Sequence, residues 1–167
     1  MSKESLFNVL NNHFNFSDLK VLDLFAGTGN ISFEFGSRGS ENITCVDEDF
    51  GCIKFIKQTA AEFDLDIAAI KNNVFTYLEK ANGPFDVIFA DPPYHLEQVK
   101  MEKIVTTIFD KSLLHQDGMM IIEHSKHTKI NHLPNFSFQK NYGGSVFSFF
   151  EFGKDDKEVI DSQVAQK

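Results

Sequence analysis

Short apolar or β-branched runs alternate with longer segments of helical spacing in this chain. That pattern predicts an α/β, Rossmann-like fold: a mostly parallel twisted sheet of seven strands, helices on both faces and a C-terminal antiparallel hairpin. Three observations carry the prediction. A glycine-containing turn, Gly27-Thr28-Gly29, follows the first apolar run. The run Phe85 to Ala90 is apolar throughout except at Asp86, as befits a strand covered on both faces. Near the end the period changes to two on either side of Gly143-Gly144, which signals a hairpin.

The elements follow in order. Leu6, Val9, Leu10 and Phe14 recur at helical spacing, so residues 3–14 read as an entry helix. Lys20 to Leu24 is the first strand, Asn30 to Ser37 a helix, and Arg38-Gly39-Ser40 a turn. Asn42 to Val46 is the second strand, Gly51 to Phe63 a helix, Ile67 to Ile70 the third strand and Val74 to Lys80 a short helix. After Phe85 to Ala90 come a helix from Glu97 to Phe109 and a fifth strand from Gly118 to Glu123. Phe136 to Tyr142 and Ser145 to Phe152 form the hairpin. One domain over residues 1–152 is expected, followed by a polar tail over 153–167 that frays from residue 154.

Composition narrows the function. No apolar run approaches the roughly 18 residues that span a bilayer, and the first residues lack the pattern of a secretory signal, so a cytoplasmic protein without a membrane partner is expected. Cys45 and Cys52 lack metal-ligand spacing and read as reduced packing residues, with no metal site. The formal charge of −8, with Arg38 the only arginine, argues against a broad grip on phosphates. A nucleic-acid substrate would have to be held by a local patch, by a partner or within a larger assembly.

Asp23-Leu24-Phe25-Ala26-Gly27-Thr28-Gly29 stands where a strand gives way to a helix, the place where open α/β sheets bind ligands. By itself this spacing serves equally as a tight turn. Asp23 adds a carboxylate suited to oppose a cationic amino group, and Ser32 stands where a dinucleotide fingerprint requires its third glycine. Asp47 ends the second strand, where a carboxylate accepts from ribose hydroxyls. A ligand with an amino acid end and a ribose satisfies all three, and S-adenosylmethionine is such a ligand. Asn73, Val74 and Phe75 follow the third strand and suit an adenine, by the Asn73 side-chain amide and an apolar contact from Val74 or Phe75, although Asn73 serves equally as a helix N-cap.

Asp91-Pro92-Pro93-Tyr94 is the most informative segment. Consecutive prolines make the loop rigid and hold the preceding residue extended. An exocyclic amine on an aromatic base is a poor nucleophile because its lone pair is delocalised. Acceptors at Asp91 and the Pro92 carbonyl would favour a tetrahedral nitrogen, and Tyr94 offers a flat face for a base flipped out of its helix or for a planar amide.

Together, Asp23 to Gly29 and Asp91 to Tyr94 resemble the class I methyltransferases that carry an Asn/Asp-Pro-Pro-aromatic motif. More narrowly, Lys3 to Leu10, Glu34 with Ser37-Arg38-Gly39, Glu123-His124-Ser125-Lys126, and Tyr142-Gly143 resemble the RsmD family over nearly the whole chain up to Phe152. Family members usually carry a basic hairpin ahead of the entry helix, within which this chain opens, and commonly have Asp where Asn73 stands.

The resemblance implies guanine-N2 methylation of small-subunit (16S) ribosomal RNA and a methyltransferase domain over residues 1–152. It further implies ribosomal RNA or an assembling small subunit as partner of a monomeric enzyme. His124 and Lys126 would lie near the substrate mouth, though that segment also reads as a strand end with a polar turn. Transfer to adenine N6 or to a protein glutamine would use the same loop, and a cofactor-binding module without activity is a third reading.

Overall fold

The apolar positions of the strands alternate between two cores, one on each face of a single sheet. In the computed structural model, which describes residues 2–153, Leu22, Leu24, Ile88 and Ala90 face one side, while Val21, Val87 and Phe89 face the other. The tail expected from residue 154 lies outside the described residues.

The elements run α1 (Ser2–Asn11), a 3-10 turn (Phe16–Asp18), β1 (Lys20–Leu24), α2 (Asn30–Ser37), β2 (Asn42–Asp47) and α3 (Phe50–Glu62). They continue with β3 (Ile67–Lys71), α4 (Val74–Lys80), β4 (Phe85–Ala90), α5 (Gln98–Asp110), β5 (Leu114–Ser125), β6 (Phe136–Tyr142) and β7 (Ser145–Phe150). The seven strands lie in the order β3-β2-β1-β4-β5-β7-β6. β1 to β5 are parallel, and β7 enters antiparallel between β5 and β6, so the expected sheet and closing hairpin both match the structure.

One core gathers Val74 and Leu78 of α4 and Met101, Ile104 and Ile108 of α5 beneath β1, β4 and β5. The other gathers Leu6, Phe7 and Leu10 of α1 with Phe35 of α2. Each fully buried Leu, Ile or Phe side chain contributes on the order of 1.5–3 kcal/mol, so these layers hold the strand ends that carry the site. Arg38 lies over the Phe7 ring at 4.8 Å and bonds Glu34 at 3.0 Å; the only arginine is thus committed to fastening α1 and α2.

Two boundaries depart from expectation for identifiable reasons. The entry helix stops at Asn11, and Asn15 caps a separate 3-10 turn by accepting from Ser17 N. β5 begins at Leu114, four residues before the apolar run, because Leu114 pairs with Phe85 and the register then shifts so that Val87 pairs with Met119. Gly118 occupies the irregular stretch, and a Cβ there would stand 2.6 Å from the Asp86 carbonyl oxygen, closer than any side chain permits.

Candidate active site

The strand order reverses between β1 and β4: from β1 the chain proceeds outward to β2 and β3, then returns to β4 on the other side. The loops leaving the C-terminal ends of β1 and β4 therefore diverge around a crevice, where ligands of open α/β sheets bind. Leu24 pairs with Ala90, and Asp91 N donates to Leu24 O at 3.4 Å, so the Asp91–Tyr94 loop springs directly from the edge of the glycine loop.

The glycine loop is held from outside. Ala26 N donates to Val46 O at 3.0 Å, and Gly27 N donates to Asp47 Oδ2 at 2.8 Å. Phe25 (φ 57), Gly27 (φ 57) and Gly29 (φ 86) all take left-handed backbone. For Phe25 that conformation costs about 1–2 kcal/mol, a strain placed at the mouth of the site, as such strains often are. A Cβ on Gly29 would lie 2.9 Å from Ile56 Cγ1 of α3, so only glycine lets α2 start this close. Asp49 and Asn73 cap α3 and α4 with their side chains, whereas Gly29 supplies no side-chain cap. Ser32 N is bonded to the Asp23 carboxylate, so of the first turn of α2 the N–H groups of Asn30 and Ile31 remain for a ligand.

Asp23 is wholly buried and accepts the Ser32 hydroxyl at 2.7 Å. Burial pushes its carboxyl up to about 7 against the opposing Ser32 bonds, with the charges of Asp91 and Asp47 adding to the rise. Ser32 thus has a task no glycine could perform. Asp47 accepts through both oxygens, from Gly27 N and from Asp49 N at 2.9 Å, and each oxygen keeps a lone pair for a further donor. Asn73 is engaged at both ends of its amide: it accepts from Thr76 N at 3.1 Å and donates one hydrogen to Glu48 Oε1 at 2.5 Å. Val74 is buried behind it.

Two clefts open at the crevice. One, of about 320 Å³, contains Asp23, Ala26 and Asn30; the other, of about 490 Å³, contains Gly27, Pro92, Pro93 and Tyr94. Phe25, Asp91 and Glu123 border both. Pro92 is buried, whereas the Tyr94 ring stands 89% exposed over the larger cleft, free to meet a planar group. The Pro93 carbonyl accepts from Leu96 N at 3.0 Å, turning the chain toward α5.

Glu123 is the functional candidate the sequence reading left without a role. Partial burial raises its carboxyl to about 7, and the charge of Asp91 adds to this. It shares a proton with Asp91, which is itself raised by desolvation and lowered by the bond between the two carboxyls.

The residues expected at the substrate mouth separate. His124 is buried; its Nδ1 lies 2.8 Å from Ser125 O and its Nε2 2.7 Å from Ser148 Oγ. A carbonyl only accepts, so Nδ1 carries the proton and Nε2 accepts the Ser148 hydroxyl. Burial lowers its pKa, with the charge of Lys129 adding to the fall and the bond to Ser125 opposing it. Lys126 is exposed and lines an adjoining cleft instead of the one containing Asp91. Asp91–Tyr94, Asp23, Phe25, Ala26, Gly27 and the flank of His124 are thus brought to the crevice, while Asn73 and Asp47 stand at the ends of β3 and β2 beside it.

Comparison with known proteins fits this arrangement. The family model described as Conserved hypothetical protein 95 matches residues 1–151. The chain belongs to this family, the RsmD family. It is 33% identical over 133 residues to YlbH of Bacillus subtilis, named for rRNA methylation, covering 77% of this chain and 70% of that protein. It is 29% identical over 140 residues to ribosomal RNA small subunit methyltransferase D of Buchnera aphidicola, covering 83% of this chain and 71% of that protein. A solved structure of a conserved hypothetical protein from Streptococcus pyogenes superposes with a TM-score of 0.78 at 25% identity, covering 89% of this chain and 93% of that one. This RsmD-family match spans both loops and the closing hairpin.

Proposed function

We propose that this protein methylates the N2 amino group of a guanine in small-subunit ribosomal RNA, taking the base flipped out of its helix into the cleft beside Tyr94. That the chain is an S-adenosylmethionine-dependent methyltransferase with an RNA substrate follows from its family and from relatives named for rRNA methylation. The observation that carries transfer to an amine is the shared wall: Asp91 and Glu123 border both the cleft with Asp23 and the start of α2 and the cleft with Gly27 and the Tyr94 ring.

The residues present fit the cofactor. The uncapped start of α2 and the left-handed glycines allow close backbone approach, buried Asp23 suits an ammonium, and Asp47 retains acceptor capacity for ribose hydroxyls. Asn73 would meet the adenine from the end of β3 with the amide hydrogen that Glu48 does not take, backed by buried Val74. When bound, S-adenosylmethionine supplies a methyl group on a cationic sulfur. Asp91 and the Pro92 carbonyl would each accept one hydrogen of the target amine, which frees its lone pair from the ring. As the nitrogen is alkylated it must lose a proton, and the Asp91–Glu123 pair is the acceptor beside it. Tyr94 would stack on the base.

The same loop suits adenine N6 or a glutamine side chain, so the test offers each substrate. Tritiated S-adenosylmethionine is supplied with unmethylated small ribosomal subunits, naked ribosomal RNA, DNA and a release factor. Label on guanine N2 of the small-subunit RNA is expected; label confined to protein would sink the assignment. Subunits labelled in preference to naked RNA would identify the assembling particle as the partner, and the position of the active enzyme on gel filtration tests the expected monomer.

A further inference from the structure

The chain carries a net charge of −8, yet one cleft at the rim of the site carries no acid. It measures about 310 Å³, and its side chains that reach solvent include Lys126, Thr128, Lys129 and Asn131 from the turn after β5, with Gln139 and Asn141 from β6. Its neighbours differ in kind: Asp23, Asp91 and Glu123 border the two clefts of the crevice. The acid-free cleft shares His124 and Thr128 with the Tyr94 cleft, so a chain leaving one passes directly into the other.

The cleft is built, not merely lined by mobile lysines. Gln98 of α5 accepts from Lys129 N at 3.2 Å and donates to Lys129 O, fixing that peptide from both sides. Thr128 N donates to Ser125 O at 3.2 Å and His127 N to Ser125 Oγ at 3.3 Å, which closes the turn bearing Lys126. Strand alternation puts Gln139 and Asn141 on the cleft side and sends Lys140 to the opposite face. His132 is paired with Glu102 at 2.8 Å and Arg38 with Glu34, so neither is the cation of this rim. Among the described residues no ion pair engages Lys126 or Lys129.

We infer that this cleft binds the sugar–phosphate backbone next to the target nucleotide, with Lys126 and Lys129 neutralising phosphates and the amides of Asn131, Gln139 and Asn141 donating to phosphate or ribose oxygens. This rests on the RNA reading above. It explains how an acidic protein holds a polyanion: two lysines in no ion pair among the described residues stand in a cleft free of acids, directly beside the cleft that contains Tyr94.

The experiment is a salt titration of binding to a fluorescein-labelled single-stranded RNA by anisotropy. For single strands the negative slope of log K against log salt steepens by about 0.7 per phosphate contact, so Lys126→Ala/Lys129→Ala makes it shallower by about 1.4 and weakens binding similarly across unrelated sequences. Lys126→Arg/Lys129→Arg keeps the slope, as does Lys54→Ala/Lys57→Ala on the exposed side of α3. Calorimetry with S-adenosylmethionine shows that each variant is folded. A slope unchanged in Lys126→Ala/Lys129→Ala, or equally reduced in Lys54→Ala/Lys57→Ala, overturns the inference. So does absence of RNA binding by the wild type. Methyl transfer to small subunits, measured separately, tells whether the RNA reading itself has failed.

Discussion

Gly27 donates its backbone N–H to Asp47 across 2.8 Å, so the carboxylate proposed for the ribose also fastens the loop that would receive the methionine end. Two functions on one side chain make its removal costly. A hydrogen bond to a charged group is worth about 1.5–3 kcal/mol, so Asp47→Ala weakens S-adenosylmethionine binding about ten- to a hundredfold. Asp47→Asn, which keeps one acceptor, loses less. Titration calorimetry decides: a dissociation constant within about twofold of wild type would show that neither contact matters.

Asp91 and Glu123 separate binding from chemistry. Asp91→Ala lowers kcat about 10²–10³-fold, the usual effect of losing a preorganised polar group at the reacting atoms, and leaves cofactor affinity largely intact. Glu123 has its carboxyl raised to about 7 by partial burial and by Asp91. As pH rises through that value the pair sheds its proton and becomes a better acceptor, so kcat in wild type climbs across neutrality. In Glu123→Gln the climb disappears. A variant whose pH profile retains the wild-type inflection would remove Glu123 from the proton path.

How much of this was legible beforehand depends on whether a residue's task is local. The Asp-Pro-Pro-Tyr loop and the glycine loop announce themselves, because their geometry is set by prolines and glycines within the segment. Glu123 does not: a glutamate ending a strand looks solvated until β5 is laid beside β4, where Ile122 pairs with Ala90 and brings the next residue level with Asp91. The first residues of β5 were hidden for a similar reason, since His115-Gln116-Asp117 looks like a loop and falls inside the strand because Leu114 before it pairs with Phe85 and Met119 after it with Val87. Asn73 presented two readings in the sequence, and the cap is the one its hydrogen bonds display.

Asp23 predicts a pH dependence of stability. Its carboxyl is raised from the ordinary 3.8 to about 7 by burial, so between those values the folded chain binds more protons than the unfolded one. Stability therefore falls as pH rises from roughly 4 to 7 and stays lower above; Glu123, raised to about 7, acts in the same sense. Asp23→Asn keeps an acceptor for Ser32 and cannot ionise, so its melting temperature declines less over that interval. Thermal melts of the two proteins across the range check this, and parallel curves would refute it. If Asp23 opposes the cofactor's ammonium, wild-type affinity strengthens over the same interval, and the variant shows no such trend.

Gly29 tests the loop without touching a polar group. Its φ of 86 and the 2.9 Å approach a Cβ would make to Ile56 mean that Gly29→Ala strains the turn and must displace the Ile56 side chain or the start of α2. Overpacking of this kind costs about 1–3 kcal/mol, read as a lowered melting temperature together with weakened cofactor binding. An alanine variant with wild-type melting and affinity would show that the approach relaxes freely.

The adjacency of β1 and β4 has a consequence for how such enzymes diversify. The reach between donor and acceptor is set by one parallel pairing deep in the sheet, whereas the polymer-reading rim is assembled from the turn after β5 and the terminal hairpin. The two can change independently: a new rim would redirect the protein to another partner with its reactive centre already in tune.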